Sequence, residues 1–230
     1  MKTFVIGDIH GAYKALMQCL ELSQFDPAKD SLICLGDVCD RGVQVKECID
    51  VLMAIPRCVY ILGNHDAWAL NWAMEGKVPV AWIEQGGDLT IASYLGKPMP
   101  GAHMQFLSDA KYYYIYRNKL FVHGGFDAET PLEKTQKEVF LWDRGLLTRA
   151  REIQPSYPDY KFGTYDEVFV GHTPTISFGK TEPKKFCNVW ALDTGAGWGA
   201  PLTIMDVDTH EFWQSDGALP SFGDKFQGHL

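Results

Sequence analysis

Five short clusters of polar residues in this 230-residue sequence could do chemistry, and each follows an apolar run. The first contains Asp8 and His10, which lie two residues apart after the run Phe4–Ile6. A carboxylate and an imidazole on one extended turn can face the same point, and their oxygen and nitrogen atoms suit Mn, Fe or Zn. One such pair is weak evidence, but the arrangement returns four times along the chain.

The later clusters complete a set of candidate ligands for two metal ions. The set has six members with oxygen or nitrogen donors: Asp8, His10, Asp37, Asn64, His123 and His172. One carboxylate of such a set can bridge two ions ~3.5–4 Å apart, which together hold both ends of an in-line displacement. Asparagine favours hard or borderline ions, so we expect two divalent ions, with Mn as the first choice and Fe or Zn as alternatives. Without the ions, Asp8 and Asp37 would repel each other, and the site should be weakened.

Strands and helices alternate along the sequence in a way that would bring these clusters together. Apolar runs bounded by turn signals predict three strands, each followed by a polar cluster and then a helix: 3–7, 31–35 and 58–62. This alternation predicts a largely parallel sheet, whose sites form beyond the carboxyl ends of the strands. A hairpin within 112–122 and a strand at 168–170 lead into His123 and His172.

The composition is that of a soluble protein with an acidic surface. With 46% hydrophobic and 22% charged residues, the chain can bury a substantial core, so we expect a single catalytic domain over residues 1–230. No apolar run approaches the about 18 residues of a membrane helix, and the first strand begins too early for a signal segment. The six cysteines include no Cys-x-x-Cys pair, which favours a reducing cytoplasm. A formal charge of −8 argues against broad nucleic-acid binding.

Taken in order, the five clusters resemble the signature blocks of a known family. The blocks are Gly7–Gly11, Gly36–Gly42, Gly63–Asp66, His123–Gly125 and Gly171–His172. They are similar to those of the calcineurin-like metallophosphoesterases and, more narrowly, of the PPP-type phosphoprotein phosphatases in their bacterial and phage branch. The resemblance implies an α/β fold in which helices flank a central β-sandwich, with the site at the carboxyl ends of the strands.

The resemblance also implies a role for each candidate ligand. Asp8 and His10 would bind the first metal ion, and Asp37 would bridge the two ions. The remaining ligands would bind the second ion: Asn64, His123 and His172. A hydroxide held between the ions would then attack phosphorus directly, without a phosphoenzyme intermediate.

Four further residues would complete the chemistry that the resemblance implies. His65 would be the general acid, oriented by Asp40, and an imidazole is the side chain best suited to give a proton at neutral pH. Arg41 would grip the phosphoryl oxygens. Arg144 would supply a second such guanidinium, since the segment Leu141–Arg144 is similar to a Trp-x-Arg motif of bacterial members. Two arginines and two cations can together neutralise the equatorial oxygens.

Three functions remain open at this point. The first is a serine/threonine protein phosphatase that acts on phosphoproteins. The second is a hydrolase of small phosphoesters, in particular a symmetrical diadenosine tetraphosphate hydrolase. Asp66 stands where eukaryotic members usually have glutamate, and an aspartate here resembles both the bacterial and phage phosphatases and their relatives that hydrolyse diadenosine tetraphosphate. The third is an inactive metal-binding scaffold, which would be expected to lack a ligand or the acid histidine. No membrane partner is expected.

Several residues outside these roles carry simpler expectations. Cys39 is the only thiol close to the predicted site, and we expect an inert packed side chain rather than a redox sensor. Three histidines belong to no block and are expected on the surface or in loops: His103, His210 and His229. A glycine-rich turn follows Asp193, and tight-turn geometry explains these glycines at least as well as phosphate binding.

Overall fold

Residues along a strand point alternately to its two sides, and here both sides are apolar. In the first strand, Val5 faces one buried core while Phe4 and Ile6 face another. Strands of this kind need cover on both sides. In the computed structural model, which describes residues 1–217, a second sheet covers one side and helices cover the other.

Two five-stranded mixed sheets form the centre of the described residues. The first has the order β10-β9-β1-β2-β3, and the second has the order β4-β5-β6-β8-β7. The strands are β1 (Thr3–Ile6), β2 (Ser31–Cys34), β3 (Cys58–Tyr60), β4 (Tyr113–Tyr116), β5 (Lys119–Val122), β6 (Glu167–Val170), β7 (Lys184–Phe186), β8 (Val189–Ala191), β9 (Pro201–Asp206) and β10 (Phe212–Gly217). The predicted β-sandwich is therefore confirmed.

The parallel strands are divided between the two sheets. Strands β1, β2 and β3 run parallel in the first sheet, while β9 is antiparallel to both β1 and β10. In the second sheet β5, β6 and β8 run parallel, and β4 and β7 add antiparallel edges. The expectation of one largely parallel sheet is thus replaced by two parallel triplets, and the hairpin predicted within 112–122 forms as β4 and β5.

Large apolar side chains fill the space between the sheets. Phe121 of β5 stacks on Phe169 of β6 with ring centroids 4.8 Å apart, and Val5 and Ile33 from the first sheet join this core. The residues on either side of Phe121 point outward to a separate cluster beneath the helices. A one-residue shift of these strands would exchange the two faces, so the alternation fixes the register.

Helices cover the outer faces of both sheets. They are α1 (Tyr13–Leu22), α2 (Val45–Met53), α3 (Asn64–Glu75), α4 (Val80–Trp82), α5 (Asp88–Ser93), α6 (Gly101–Ser108), α7 (Lys137–Trp142) and α8 (Gly145–Ile153). Helices α1, α2, α3 and α6 pack on the first sheet, and α7 and α8 on the second. None of the helices within residues 1–217 is both long and apolar enough to cross a membrane.

The three histidines outside the blocks differ in their positions. His103 was expected at the surface but is buried on α6, where its Nε2 lies 2.9 Å from Asp50 Oδ1 and Tyr94 Oη lies 2.9 Å from its Nδ1. These two polar partners explain how an imidazole is accommodated there. His210 lies in the loop after β9, as expected. His229 lies outside the described residues.

Candidate metal centre and active site

The loops that follow the parallel strands bring the predicted ligands to one edge of the sandwich. Asp8 and His10 follow β1, and Asp37 follows β2. His123 and His172 follow β5 and β6 in the other sheet. The two sheets meet here, because Nε2 of His123 lies 3.3 Å from Oδ2 of Asp37. The predicted convergence of residues more than 160 positions apart is therefore observed.

Backbone hydrogen bonds aim two of the imidazoles at the site. Nδ1 of His10 donates to the carbonyl oxygen of Cys39 at 2.8 Å, and Nδ1 of His123 donates to that of Leu35 at 2.8 Å. Each bond leaves Nε2 facing inward, which is how proteins fix a metal-binding histidine through its second nitrogen. The Nε2 atom of His172 is also buried and has no hydrogen-bond partner within residues 1–217.

Asp37 lies between the two groups of candidate ligands. Its Oδ2 atom is 3.8 Å from Nε2 of His10 and 3.3 Å from Nε2 of His123, whereas its Oδ1 accepts the backbone N–H of His65 at 3.0 Å. Possible ligand atoms converge within 4.8 Å in two sets that share Asp37: one with His10 and His65, the other with His123 and His172. A carboxylate that belongs to two such sets of donors is able to bridge two ions.

The charges around Asp37 are those of a site that attracts cations. Burial raises the pKa of Asp37, but the neighbouring imidazoles of His123 and His65 outweigh it and hold this pKa well below the usual range. Burial lowers the pKa of His123, but Asp37 and Asp8 outweigh it and raise that pKa to about 10. Nε2 of His123 also lies 3.0 Å from Oδ1 of Asn64. A proton on Nε2 of His123 lies among oxygen donors, where a metal ion could bind instead. Metal binding would therefore release this proton.

Asp8 and His172 complete the buried cluster. The carboxylate of Asp8 accepts the backbone N–H of His172, with an Oδ2 distance of 3.0 Å. Burial and the nearby Asp193 raise the pKa of Asp8 well above its usual range. Burial, together with His123 and Arg144, lowers the pKa of His172 to about 2, so this imidazole is neutral and able to bind metal. Like charges packed this closely, beside an unpartnered neutral Nε2, fit a site built for divalent cations.

His65 and Asp40 form a buried pair beside the candidate ligands. Nδ1 of His65 donates a hydrogen bond to Oδ2 of Asp40 at 2.6 Å. The same carboxylate accepts hydrogen bonds from Nε1 of Trp82 at 2.8 Å and from Oγ1 of Thr90 at 2.6 Å. Burial raises the pKa of Asp40, although these hydrogen bonds oppose the shift. The other ring nitrogen of His65, Nε2, accepts a hydrogen bond from Nη2 of Arg41 at 3.3 Å.

Both predicted arginines line one small cavity with these histidines. The cavity has a volume of about 200 Å³, and its walls include His10, Arg41, His65, Arg144 and His172. Nη1 of Arg144 donates to the carbonyl oxygen of His172 at 2.9 Å and to Oγ1 of Thr173 at 3.0 Å. The guanidinium of Arg41 lies 4.2 Å from the ring centre of Trp198. A larger cavity of about 690 Å³ lies elsewhere, and none of the predicted site residues line it.

Backbone strain is concentrated in the site. Five of the ten predicted residues have a left-handed backbone with positive φ: His10 (49°), Asp37 (51°), Asp40 (71°), Arg41 (65°) and His172 (63°). Such conformations cost free energy for residues other than glycine and persist where the surroundings impose them, often at functional sites. Gly63 leaves room for the Asp37 loop, because a Cβ atom there would collide with Oδ1 of Asp37.

Asp66 holds the loop that carries Asp37, which the sequence did not indicate. Its buried carboxylate accepts five hydrogen bonds: from the backbone N–H groups of Asp37, Val38, Cys39 and Gly63 and from the hydroxyl of Tyr60. The sequence marked Asp66 only as a difference from eukaryotic relatives. Its position two residues after Asn64 could have suggested a helix-start carboxylate facing a neighbouring loop.

The remaining expectations near the site concern Cys39 and Asp193. Cys39 is fully buried, and burial together with Asp66 raises the pKa of its thiol well above the usual range, which agrees with an inert side chain. Asp193 accepts the N–H of Gly195 in a tight turn, as the glycines suggested. It is also buried beside the site, where burial raises its pKa to about 6.

The comparison with known families decides the assignment. The family model described as calcineurin-like phosphoesterase matches residues 1–195. The chain belongs to this family. Calcineurin-like phosphoesterases use a dinuclear divalent metal centre, and the buried histidine and aspartate groups described above have the donors for one. The chain is thus a metallophosphoesterase hydrolase.

Individual relatives of this calcineurin-like phosphoesterase carry two different names. It is 28% identical to serine/threonine-protein phosphatase 1 of Salmonella typhimurium, over 89% of this chain and 91% of that protein. It is also 28% identical to a symmetrical bis(5'-nucleosyl)-tetraphosphatase of Pseudomonas fluorescens, over 91% and 90%. A solved structure described as a supposed diadenosine tetraphosphatase superimposes with a TM-score of 0.70 at 18% identity, over 94% and 93%, and shows the same fold.

Proposed function

We propose that this chain is a serine/threonine protein phosphatase that uses two divalent metal ions in a single catalytic domain over residues 1–230. The observation that carries the proposal is the position of Asp37, whose Oδ2 lies 3.8 Å from Nε2 of His10 and 3.3 Å from Nε2 of His123. A carboxylate so placed, beside a histidine–aspartate pair and two arginines, has the parts that phosphoester hydrolysis requires.

The ligand set that we propose has six members in two groups joined by Asp37. Asp8 and His10 form one group; Asn64, His123 and His172 form the other. When bound, the ions would supply positive charge to the phosphoryl oxygens and lower the pKa of a water to ~7, so that it can act as the nucleophile. We favour Mn, with Fe or Zn as alternatives, because the donors are oxygen and nitrogen atoms without a thiolate.

His65 would give its proton to the departing alkoxide, and Asp40 would orient it. The 2.6 Å bond to Asp40 fixes the Nδ1–H tautomer, so Nε2 is the atom that must be protonated for this role. In the structure Nη2 of Arg41 donates to Nε2. Catalysis therefore requires the Arg41 guanidinium to leave this atom, which it would do by turning towards the phosphoryl group.

The two arginines would hold the equatorial phosphoryl oxygens. Arg41 is buried, its Nε has no hydrogen-bond partner within the described residues, and burial lowers its pKa. A phosphate that accepts hydrogen bonds from this guanidinium would satisfy the unpartnered nitrogen. Arg144 lines the same cavity and would bind the phosphoryl group from another wall.

The choice of phosphoproteins over dinucleotides rests on chain length. The alignment with the Salmonella phosphatase spans 214 positions, fewer than the 230 residues of this chain. The alignment with the Pseudomonas tetraphosphatase spans 268 positions, more than the whole chain, so that enzyme has segments that this chain lacks. Such segments could bind a nucleoside. A symmetrical tetraphosphatase remains the second candidate, because the two relatives are equally identical to this chain.

A substrate panel tests the proposal. Protein stripped of metal and reloaded with Mn, Fe or Zn would be assayed for kcat/KM with a phosphoserine peptide and with diadenosine tetraphosphate. We expect a preference for the peptide. A clear preference for the dinucleotide, with ADP as product, would favour the second candidate, and turnover in metal-free protein would contradict the metal-dependent mechanism. If p-nitrophenyl phosphate is not hydrolysed with any of these metals, the result would favour the third candidate, an inactive metal-binding scaffold.

A further inference from the structure

Trp142 is an exposed aromatic side chain at the wall of the catalytic cavity. It is the last residue of α7, and 41% of its surface is exposed, although it lines the same cavity as His65, His172 and Arg144. The core tryptophan Trp82, by contrast, is completely buried. Ligand pockets combine aromatic side chains with a few polar groups, so an open indole in this wall is available to contact a ligand.

The indole of Trp142 is held in place without being covered. It makes edge-to-face contacts with Trp68, at a centroid distance of 4.9 Å, and with His172, at 6.1 Å. Trp68 in turn makes an edge-to-face contact with His65 at 5.3 Å. These contacts fix the ring relative to two of the predicted site residues. Because the ring of Trp142 is already fixed, a ligand that packs on it would cost this side chain little conformational entropy.

The size of the cavity determines what part of a substrate would reach Trp142. A volume of about 200 Å³ accommodates a phosphoryl group and few further atoms, so the leaving group must extend past the wall. Arg144, which would bind the phosphoryl group, is only two residues from Trp142. An indole binds flat rings by stacking. The methylene of a phosphoserine has only a small apolar area and would gain little from contact with the indole.

We propose that Trp142 stacks on a flat aromatic ring in the leaving group and determines specificity between leaving groups with and without such a ring. The aromatic group is a phosphotyrosine ring or a nucleoside base, which share the same stacking chemistry. This inference rests on the proposed phosphoesterase function, and it adds an aromatic phosphoester to the serine and threonine phosphoesters proposed above. It assigns to Trp142 a contact with the substrate and no part in proton transfer.

The test compares two peptides of identical flanking sequence, one with phosphotyrosine and one with phosphoserine. We expect Trp142→Ala to lower the ratio of kcat/KM for phosphotyrosine to that for phosphoserine by about 5–10-fold, mainly through KM for phosphotyrosine. Trp142→Phe should keep the ratio within about twofold, because phenylalanine also stacks. Tyr157→Ala is the matched control, since Tyr157 is 66% exposed and does not line the cavity.

A third substrate identifies the source of the ring. If the alanine variant loses kcat/KM for diadenosine tetraphosphate by this factor and keeps the peptide ratio, the ring is a nucleoside base. Equal losses on all three substrates, or no loss on any, would overturn the inference. If the wild-type protein turns over none of them, the proposed function fails instead. Metal content and the midpoint of thermal unfolding, measured for each variant, show whether the site is intact, and Trp142→Phe provides the comparison if the alanine variant does not fold.

Discussion

Nδ1 of His65 lies 2.6 Å from Oδ2 of Asp40, and this carboxylate also accepts hydrogen bonds from Trp82 and Thr90. His65 is the second residue of α3, whereas Trp82 and Thr90 belong to α4 and α5, which contain none of the candidate metal ligands. The segment between α3 and α6 therefore fixes the ring orientation of His65 through a buried, fully bonded carboxylate. Orientation of this kind maintains one tautomer and one direction for proton transfer.

Asp40→Asn should lower kcat by about 10–100-fold, the effect usual for a partner that orients a catalytic or metal-binding histidine. An amide in this place can present its NH₂ group to His65 and favour the wrong tautomer. The measurement is kcat with a phosphoserine peptide, together with metal content, which should stay at two ions. Asp88→Asn, an exposed change on the neighbouring helix, is the control. An unchanged kcat in the Asp40 variant would argue against His65 as the acid.

Asp66→Asn should destabilise the protein by about 2–4 kcal/mol, because one NH₂ group would face donors that now reach a carboxylate. The carboxylate holds the loop of Asp37, so metal affinity should fall as well. Urea unfolding and metal titration measure the two effects. Asp109→Asn removes an exposed carboxylate whose one side-chain hydrogen bond within residues 1–217 comes from Gln105, and it should change the free energy of unfolding by less than about 0.5 kcal/mol. Similar losses in both variants would contradict the role assigned to Asp66.

Removal of metal by a chelator should abolish activity and lower the midpoint of thermal unfolding. Asp8 and Asp37 are both buried, and cations that bind only the folded state add about 2.7 kcal/mol of stability each at one hundred times their dissociation constant. Calorimetry with and without chelator measures the shift, and readdition of Mn should restore both activity and midpoint. His172→Ala should reduce the bound metal from two ions to one, and retention of both ions would remove His172 from the ligand set.

The sequence predicted that the candidate ligands would come together, because each follows a strand and the strand signal is local. Asp37 and His123 could be placed at strand ends from short apolar runs alone, and parallel strands then bring their ends to one edge. The supporting contacts were not predictable in this way. Thr90 lies 50 residues from Asp40, and the partner Asp50 of His103 lies 53 residues away. Such pairs depend on how the helices pack, and a local sequence pattern does not predict that packing.

At the opposite ends of the strands, Glu167 forms a second buried polar network. Its carboxylate lies 2.8 Å from Nζ of Lys119 and 3.0 Å from Nζ of Lys185, and it accepts Nε1 of Trp190 at 3.0 Å and Nε2 of His210 at 2.9 Å. Burial raises the pKa of Glu167, but these partners outweigh it and lower the pKa from 4.5 to about 2. The depressed value means that the charged form is favoured by folding.

The network should therefore stabilise the protein above pH 4.5 and lose its effect as the pH falls through 4.5 towards 2. At pH 7, Glu167→Gln should lower the free energy of unfolding by about 1–2 kcal/mol, a value reduced from the full linkage because the lysine partners are partly exposed to screening. Urea unfolding between pH 7 and pH 2.5 measures the difference, which should shrink towards zero at the acid end. Glu182→Gln, at an exposed pair with Lys184, should show almost no difference at any pH. A constant gap between wild type and Glu167→Gln down to pH 2.5 would mean that the loss reflects packing, because a charge contribution must vanish when the carboxylate is protonated in both states.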